Sequence, residues 1–311
     1  MPLSGPALAQ RIIANIETVL RGKHKQVELA LATVLAGGHL LLEDVPGLGK
    51  TMLARALSVS LGLSFKRIQF TADLMPSDIV GGPVYNPKDG SFVLRPGPAF
   101  SQIVLADEIN RANPRAQSAL LECMEEGQIT IDGKTMALPK PFVVLATQNP
   151  IDMAGTYPLP EAQLDRFLIR LSLGYPDAAT EQGLIGALQF SHPIELLQPV
   201  CEATAVRALV EQVRGVKIAD DVAAFITTVV SATRRHPAIR FGASPRGTLG
   251  LARMARALSF LRGCDYVDPA VVRELAAPVL THRIILKAQS GESADANAVI
   301  AELLAQQRTP R

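Results

Sequence analysis

The sequence predicts an α/β domain built on a parallel sheet, followed by a smaller all-α domain. Five short, strongly apolar runs (His39–Glu43, Phe65–Phe70, Ile103–Ala106, Phe142–Thr147 and Phe167–Leu173) are separated by segments of helical spacing. Apolar strands interleaved with helices indicate a parallel sheet covered on both faces. Beyond Gly174-Tyr175-Pro176-Asp177 only helical patterns remain, in Val222–Ala232, Thr248–Leu261 and Pro269–Leu280. A boundary near residue 175 therefore divides residues 1–175 from 176–311.

Composition agrees with that division. At about 150 residues per domain, 311 residues make roughly two domains. Hydrophobic residues are 48% and charged residues 19%, a globular rather than disordered balance. Lys+Arg 31 against Asp+Glu 29 gives a formal charge of only +2. That is no footprint for bulk nucleic-acid binding, although a local basic groove stays open.

Cys123, Cys201 and Cys264 are far apart and form no CxxC pair, which favours a reducing compartment. Cys123, beside Met124 in a predicted helix, reads as a core residue. His24, His39, His192, His236 and His282 are scattered, which argues against a metal cluster. The greasiest stretch, Leu29 to Leu42, is interrupted by Thr33, Gly37, Gly38 and His39. It falls short of the ~20 apolar residues that span a bilayer. With no basic patch leading into an apolar signal core, the expectation is a soluble, cytoplasmic protein.

The local patterns follow in order. Ile12, Ile13, Ile16 and Leu20 recur at helical spacing between Gln10 and Leu20, and Gly22 closes the run. Val27–Leu35 predicts a second helix ended by Gly37 and Gly38. Two hairpins are expected. Val84–Asn86 and Ser91–Leu94 flank Pro87-Lys88-Asp89-Gly90, and Gln128–Ile131 and Lys134–Ala137 flank Asp132-Gly133.

The chemistry begins where the first strand meets a helix. Pro46-Gly47-Leu48-Gly49-Lys50-Thr51 follows Leu40–Leu42 and opens a helix carrying Leu53 and Leu57 on one face. Glycines there let backbone N–H groups close around a phosphate, and the helix N-terminus adds a favourable dipole. Lys50 reaches the β- and γ-phosphates, and the Thr51 hydroxyl ligates Mg²⁺. The expected nucleotide-binding set is Asp44, Val45, Pro46, Gly47, Leu48, Gly49, Lys50, Thr51 and Met52. Asp44 departs from the GxxxxGK[ST] pattern, which has glycine at its position.

Ile103-Val104-Leu105-Ala106-Asp107-Glu108 is an apolar strand ending in adjacent carboxylates. Asp107 suits the Mg²⁺ water shell, and Glu108 suits polarisation of an attacking water. Either motif alone has a bland explanation: a tight turn, or solvated acids at a strand end. Together they predict nucleotide hydrolysis.

Asn149, in Ala146-Thr147-Gln148-Asn149-Pro150, falls at the carboxyl edge of the sheet, where open α/β folds bind ligands. Its amide can orient water or sense a γ-phosphate; an ordinary Asn-Pro turn is the alternative. Arg166 lies in Leu164-Asp165-Arg166-Phe167. Arg246 lies in Ala243-Ser244-Pro245-Arg246-Gly247, where Ser244 or Pro245 begins a helix. An arginine near the γ-phosphate stabilises transition-state charge; a surface salt bridge explains either position equally well.

The motif order resembles the AAA+ ATPases, specifically their MoxR branch. The resemblance runs from about Asn15 to Leu286. Its distinctive stretches are Leu42–Thr51, Ala106–Arg111, Ala146–Pro150 and Leu159–Phe167. It implies a P-loop AAA+ parallel-sheet sandwich followed by an all-α lid, using ATP/ADP and Mg²⁺. By resemblance Asn149 is sensor 1, Arg166 the arginine finger and Arg246 sensor 2, with Arg111 and Arg115 rivals for the finger. Val84–Leu94 resembles the insert in the second helix, and Gln128–Ala137 the hairpin before sensor 1.

The branch implies a homo-oligomer, a hexameric ring, acting as a chaperone-like remodelling ATPase on a protein client. A von Willebrand factor A domain protein is the partner type it suggests. The alternative is a nucleic-acid-acting AAA+ motor, disfavoured by the near-neutral charge. A nucleotide-gated scaffold without turnover is a third reading, opposed by the intact Asp107-Glu108 pair.

Overall fold

The computed structural model describes residues 3–88, 90–131, 133–149, 155–187, 193–287 and 295–310. Asp89, Asp132, Pro150 and His192, named above, lie outside the described residues. The central sheet holds β1 (Leu40–Glu43) and β2 (Phe65–Gln69), and β5 (Ile103–Asp107), β8 (Val143–Gln148) and β9 (Ile169–Leu171). Hairpin strands β3 (Gly81–Asn86), β4 (Ser91–Pro96), β6 (Gln128–Ile131) and β7 (Lys134–Ala137) stand apart from it. All five expected core strands form, paired in parallel in the order β2-β5-β8-β1-β9.

Side chains alternate across each strand, and the apolar runs therefore feed two cores. Leu40, Leu42, Ile103, Leu105, Val143 and Leu145 face one. Leu41, Val104, Ala106, Val144 and Ala146 face the other. The first core is covered by α1 (Gly5–Glu17), α2 (His24–Leu35) and α3 (Lys50–Ser60). The second is covered by α4 (Pro76–Val80) and α5 (Pro114–Glu126). Asn113 starts α5 by accepting from the Arg115 and Ala116 N–H groups at 3.1 Å, Pro114 takes the first turn, and Gly127 ends it at φ 62°. This fixes where Glu125, in the last turn, emerges.

A short helix α6 (Glu161–Leu164) precedes β9. The helical part then runs through α7 (Ala178–Ala187), α8 (Ala203–Arg214), α9 (Asp220–Thr233), α10 (Pro245–Leu261), α11 (Pro269–Leu280) and α12 (Ala296–Ala305). The second part is helical as expected, apart from one short ladder. Strands β10 (Ile239–Phe241) and β11 (Ile285–Leu286) pair antiparallel within it. Segments this short have no readable period, and their pairing partners are distant in sequence.

Among the described residues the helices after β9 form no core separate from the first. They share the first core with α1 and α2, and Gln10 Nε2 donates to Leu261 O at 2.7 Å. Buried Glu28 on α2 pairs with Arg262 at 2.9 Å, and Arg262 continues to Glu274 at 2.8 Å. Cys123 is buried, and its burial pushes the thiol up to about 12, the behaviour of an inert core residue. Among the described residues no helix is long and apolar enough to cross a membrane.

Candidate functional site

Strand β1 lies between β8 and β9, while the chain leaving it crosses to β2 at the far edge. Ligands bind outside the carboxyl ends of parallel strands at such a reversal. The loop leaving β1 takes Gly47 to φ 89° and Gly49 to φ 91°, left-handed conformations that non-glycine residues adopt only under strain. A Cβ on Gly47 would meet nothing within 4 Å, so backbone conformation, not crowding, is what selects glycine there. Gly49 caps α3 without a side-chain bond. A helix leaves its first N–H groups without intrahelical partners, and Lys50, Thr51 and Met52 occupy that first turn.

A cavity of about 390 Å³ opens over this turn. It brings together Pro46, Gly47, Gly49, Lys50, Thr51, Met52, Asp107, Glu108 and Asn149 of the expected set. Lys50 Nζ donates to the Asp44 carbonyl. Burial pulls its ammonium below the ordinary lysine value, opposed by the charges of Asp44, Asp107 and Glu108. Thr51 and Asp107 contribute hard oxygen donors to one cavity, a set that fits Mg²⁺.

The two carboxylates are held by Thr147, Arg67 and Gln69, to which sequence reasoning gave no role, and by Arg111, named above as a rival finger. Asp107 Oδ1 accepts from Thr147 Oγ1 at 2.6 Å, and Oδ2 accepts from Arg67 Nε at 3.0 Å and Nη2 at 2.5 Å. Glu108 has φ 57°, the one positive value for a non-glycine among the described residues. Such a conformation costs on the order of 1–2 kcal/mol. The Glu108 N–H donates to Thr147 Oγ1 at 2.8 Å, and its Oε2 accepts from Gln69 Nε2 at 2.9 Å. Arg111 Nε lies 3.3 Å from the same carboxylate oxygen. A faint signal existed: Arg67 and Gln69 sit two apart, on one face of β2.

Asp44, the departure from the glycine pattern, does not line the cavity. Its buried carboxylate turns away and accepts from Ser172 Oγ at 2.6 Å, Leu173 N at 2.6 Å and Gly174 N at 3.3 Å. Asp44 thus ties the start of the loop to the chain leaving β9. Val45 and Leu48 belong to the loop but do not line the cavity.

Arg166 and Arg246 lie elsewhere. They border a second cavity of about 310 Å³, and neither lines the first. Both meet Glu125: Arg166 Nη2 lies 2.9 Å from Oε2, and Arg246 Nη2 donates to Oε1. Ser244 is the N-cap of α10, with Pro245 in its first turn, which sets the exit direction of Arg246.

Residues 39–169 match the family model described as ATPase family associated with various cellular activities (AAA). Residues 231–303 match the model for the AAA lid domain. The chain is 47% identical over 310 residues to the uncharacterized protein YeaC of Bacillus subtilis, spanning 99% of this chain and 95% of that one. It is 40% identical over 286 residues to Chaperone MoxR1 of Mycobacterium tuberculosis, spanning 89% of this chain and 75% of that one. Among solved structures, an ATPase candidate from Cytophaga hutchinsonii superposes with a TM-score of 0.91 at 37% identity, covering 99% of this chain and 96% of that one.

Proposed function

The chain belongs to the AAA+ ATPases of the MoxR type, and from that premise we propose that it remodels a protein client, working as a ring whose subunits complete one another's ATP sites. It binds nucleotide and hydrolyses ATP. In this reading Lys50 grips the phosphates, and Thr51 and Asp107 hold Mg²⁺. Held by these residues, Mg²⁺ would supply positive charge that offsets the negative charge of the triphosphate. Glu108 takes the proton of the lytic water, held in aim by Gln69 and by the Thr147 bond to its N–H. Asn149 orients that water from the end of β8.

The observation that carries the ring is the separation of the two halves. The phosphate grip and the acid pair line one cavity, whereas Arg166 and Arg246 face another. An arginine that stabilises transferring phosphate must touch it. These two therefore serve the nucleotide of a neighbouring subunit. A hexamer is the closed form favoured here, and a von Willebrand factor A domain protein is the favoured partner type.

The protein client is supported by the β3–β4 hairpin. Val84, Tyr85, Phe92 and Val93 are 48%, 55%, 70% and 53% exposed, and the two aromatic rings pair at 5.5 Å. Exposed aromatic surface suits a protein interface. Nucleic acid needs many phosphate contacts, yet the two hairpins carry only Lys88, Arg95 and Lys134. The test holds Glu108→Gln in ATP and compares its retained lysate proteins with its affinity for single- and double-stranded DNA. ATP-dependent retention of a protein, lost in Phe92→Ser, is expected. Tight DNA binding that stimulates the wild-type ATPase, with no such protein, would overturn the client reading.

A further inference from the structure

Arg283 ends the 3₁₀ turn Thr281–Arg283 after α11, and its side chain is only 3% exposed. A guanidinium has five N–H donors in a rigid fork, and this one spends four of them on the segment that precedes β9. Nε donates to Asp165 Oδ1 at 2.8 Å, Nη1 to Leu168 O at 3.0 Å, and Nη2 to Asp165 O at 3.3 Å and Phe167 O at 2.5 Å. Nη1 also donates to Val279 O. His282 Nε2 meets the same Phe167 carbonyl at 3.0 Å. The backbone is thus gripped on both sides of Arg166, and the grip comes from the lid.

The other oxygen of Asp165 points to a second lid segment. Oδ2 accepts from Ser244 Oγ at 2.8 Å, and Ser244 Oγ in turn accepts from the Arg246 N–H at 3.1 Å. One carboxylate therefore joins the α10 N-terminus, with Arg246, to the turn carrying Arg283. Beyond it the guanidinium groups of Arg166 and Arg246 converge on the two oxygens of Glu125.

We propose that Arg283 and Asp165 are positioning residues that hold Arg166 of the α/β part and Arg246 of the lid in register, as one anion-binding pair. This rests on the reading that the pair serves a neighbouring subunit's nucleotide. Neither residue touches that nucleotide. A lid that swings relative to the sheet must carry or break this junction, so nucleotide-driven lid motion reaches the next site through it. Lysine, a point charge with three donors, cannot reproduce the fork.

The experiment mixes subunits, with co-assembly checked by capture through a tag on one of them. The reference mixture is Arg166→Ala with Lys50→Ala, each inactive alone, and it should recover hydrolysis. Arg283→Lys alone should lose at least tenfold in kcat, while its affinity for a fluorescent ATP analogue stays within twofold. Mixed with Lys50→Ala, it should recover as Arg166→Ala does. A subunit carrying both Arg283→Lys and Lys50→Ala should fail to rescue Arg166→Ala. If Arg283→Lys does not fold, Asp165→Asn takes its place, since it keeps the side-chain shape and removes the charge. Wild-type kcat in the variant that folds, or rescue by the double variant, overturns the positioning role. Failure of the reference mixture despite co-assembly instead overturns the cross-subunit reading, and the positioning role with it.

Discussion

The Thr147 hydroxyl donates to Asp107 Oδ1 at 2.6 Å, and Thr147 Oγ1 itself accepts the Glu108 N–H at 2.8 Å. One buried hydroxyl at the end of β8 thus fixes the aim of both carboxylates at the end of β5. Hydrogen bonds to charged groups contribute about 1.5–3 kcal/mol. Thr147→Val keeps the shape and removes the hydroxyl. The expected result is a loss of roughly tenfold to a hundredfold in kcat, with ATP affinity little changed. Steady-state phosphate release beside equilibrium binding separates the two, and an unchanged kcat would count against the role of Thr147.

Lys50 and Glu108 share a cavity but act at different stages. Lys50→Ala should abolish ATP binding, because the lysine meets phosphate in the ground state. Glu108→Gln should bind normally and lose about 10²-fold or more in hydrolysis, the scale of general base catalysis. Titration with a fluorescent ATP analogue, followed by phosphate release, checks both. A Glu108→Gln protein turning over at the wild-type rate would refute the assignment.

Asp44→Ala should act on stability. It strands the Ser172 hydroxyl and the Leu173 and Gly174 N–H groups, which the carboxylate now satisfies. Unmet buried donors cost about 1–3 kcal/mol each, so a total loss of about 2–4 kcal/mol is expected after partial relaxation. Urea denaturation measures it. ATP affinity well below the melting temperature should change little; a large loss of affinity with full stability would instead support direct contact between Asp44 and the nucleotide.

Two buried histidines predict acid sensitivity. Burial lowers His39 from 6.5 to about 4, and burial also holds His282 well below its ordinary value, with Arg283 adding to the effect. His39 Nδ1 accepts from Val144 N at 3.0 Å, which the neutral ring alone can do. Between pH 6.5 and 4 the unfolded chain binds more protons than the folded one, so stability falls as pH falls through that window. His39 by itself accounts for a loss on the order of 1 kcal/mol by pH 5.5. Urea midpoints at pH 7.5 and 5.5 test this, and equal midpoints would contradict a neutral buried His39.

The five core strands, both hairpins, the loop from Pro46 to Thr51 and the acid pair at the end of β5 are legible along the chain without any tertiary information. Each is a local pattern: an apolar run, a turn residue, or glycines before a helix. Chemistry concentrated within a few residues of a strand end is legible for the same reason. Tertiary structure alone decided the rest. Thr147, Arg67 and Gln69 reach Asp107 and Glu108 only because β2 and β8 flank β5, a neighbourhood that no local spacing encodes. Asp44 sits within the phosphate-loop pattern, yet its carboxylate is claimed by the chain leaving β9, about 130 residues away. Arg166 and Arg246, far apart in sequence, are joined by the fold at Glu125, away from the loop, because hydrogen-bond partners are chosen by distance in space and not along the chain.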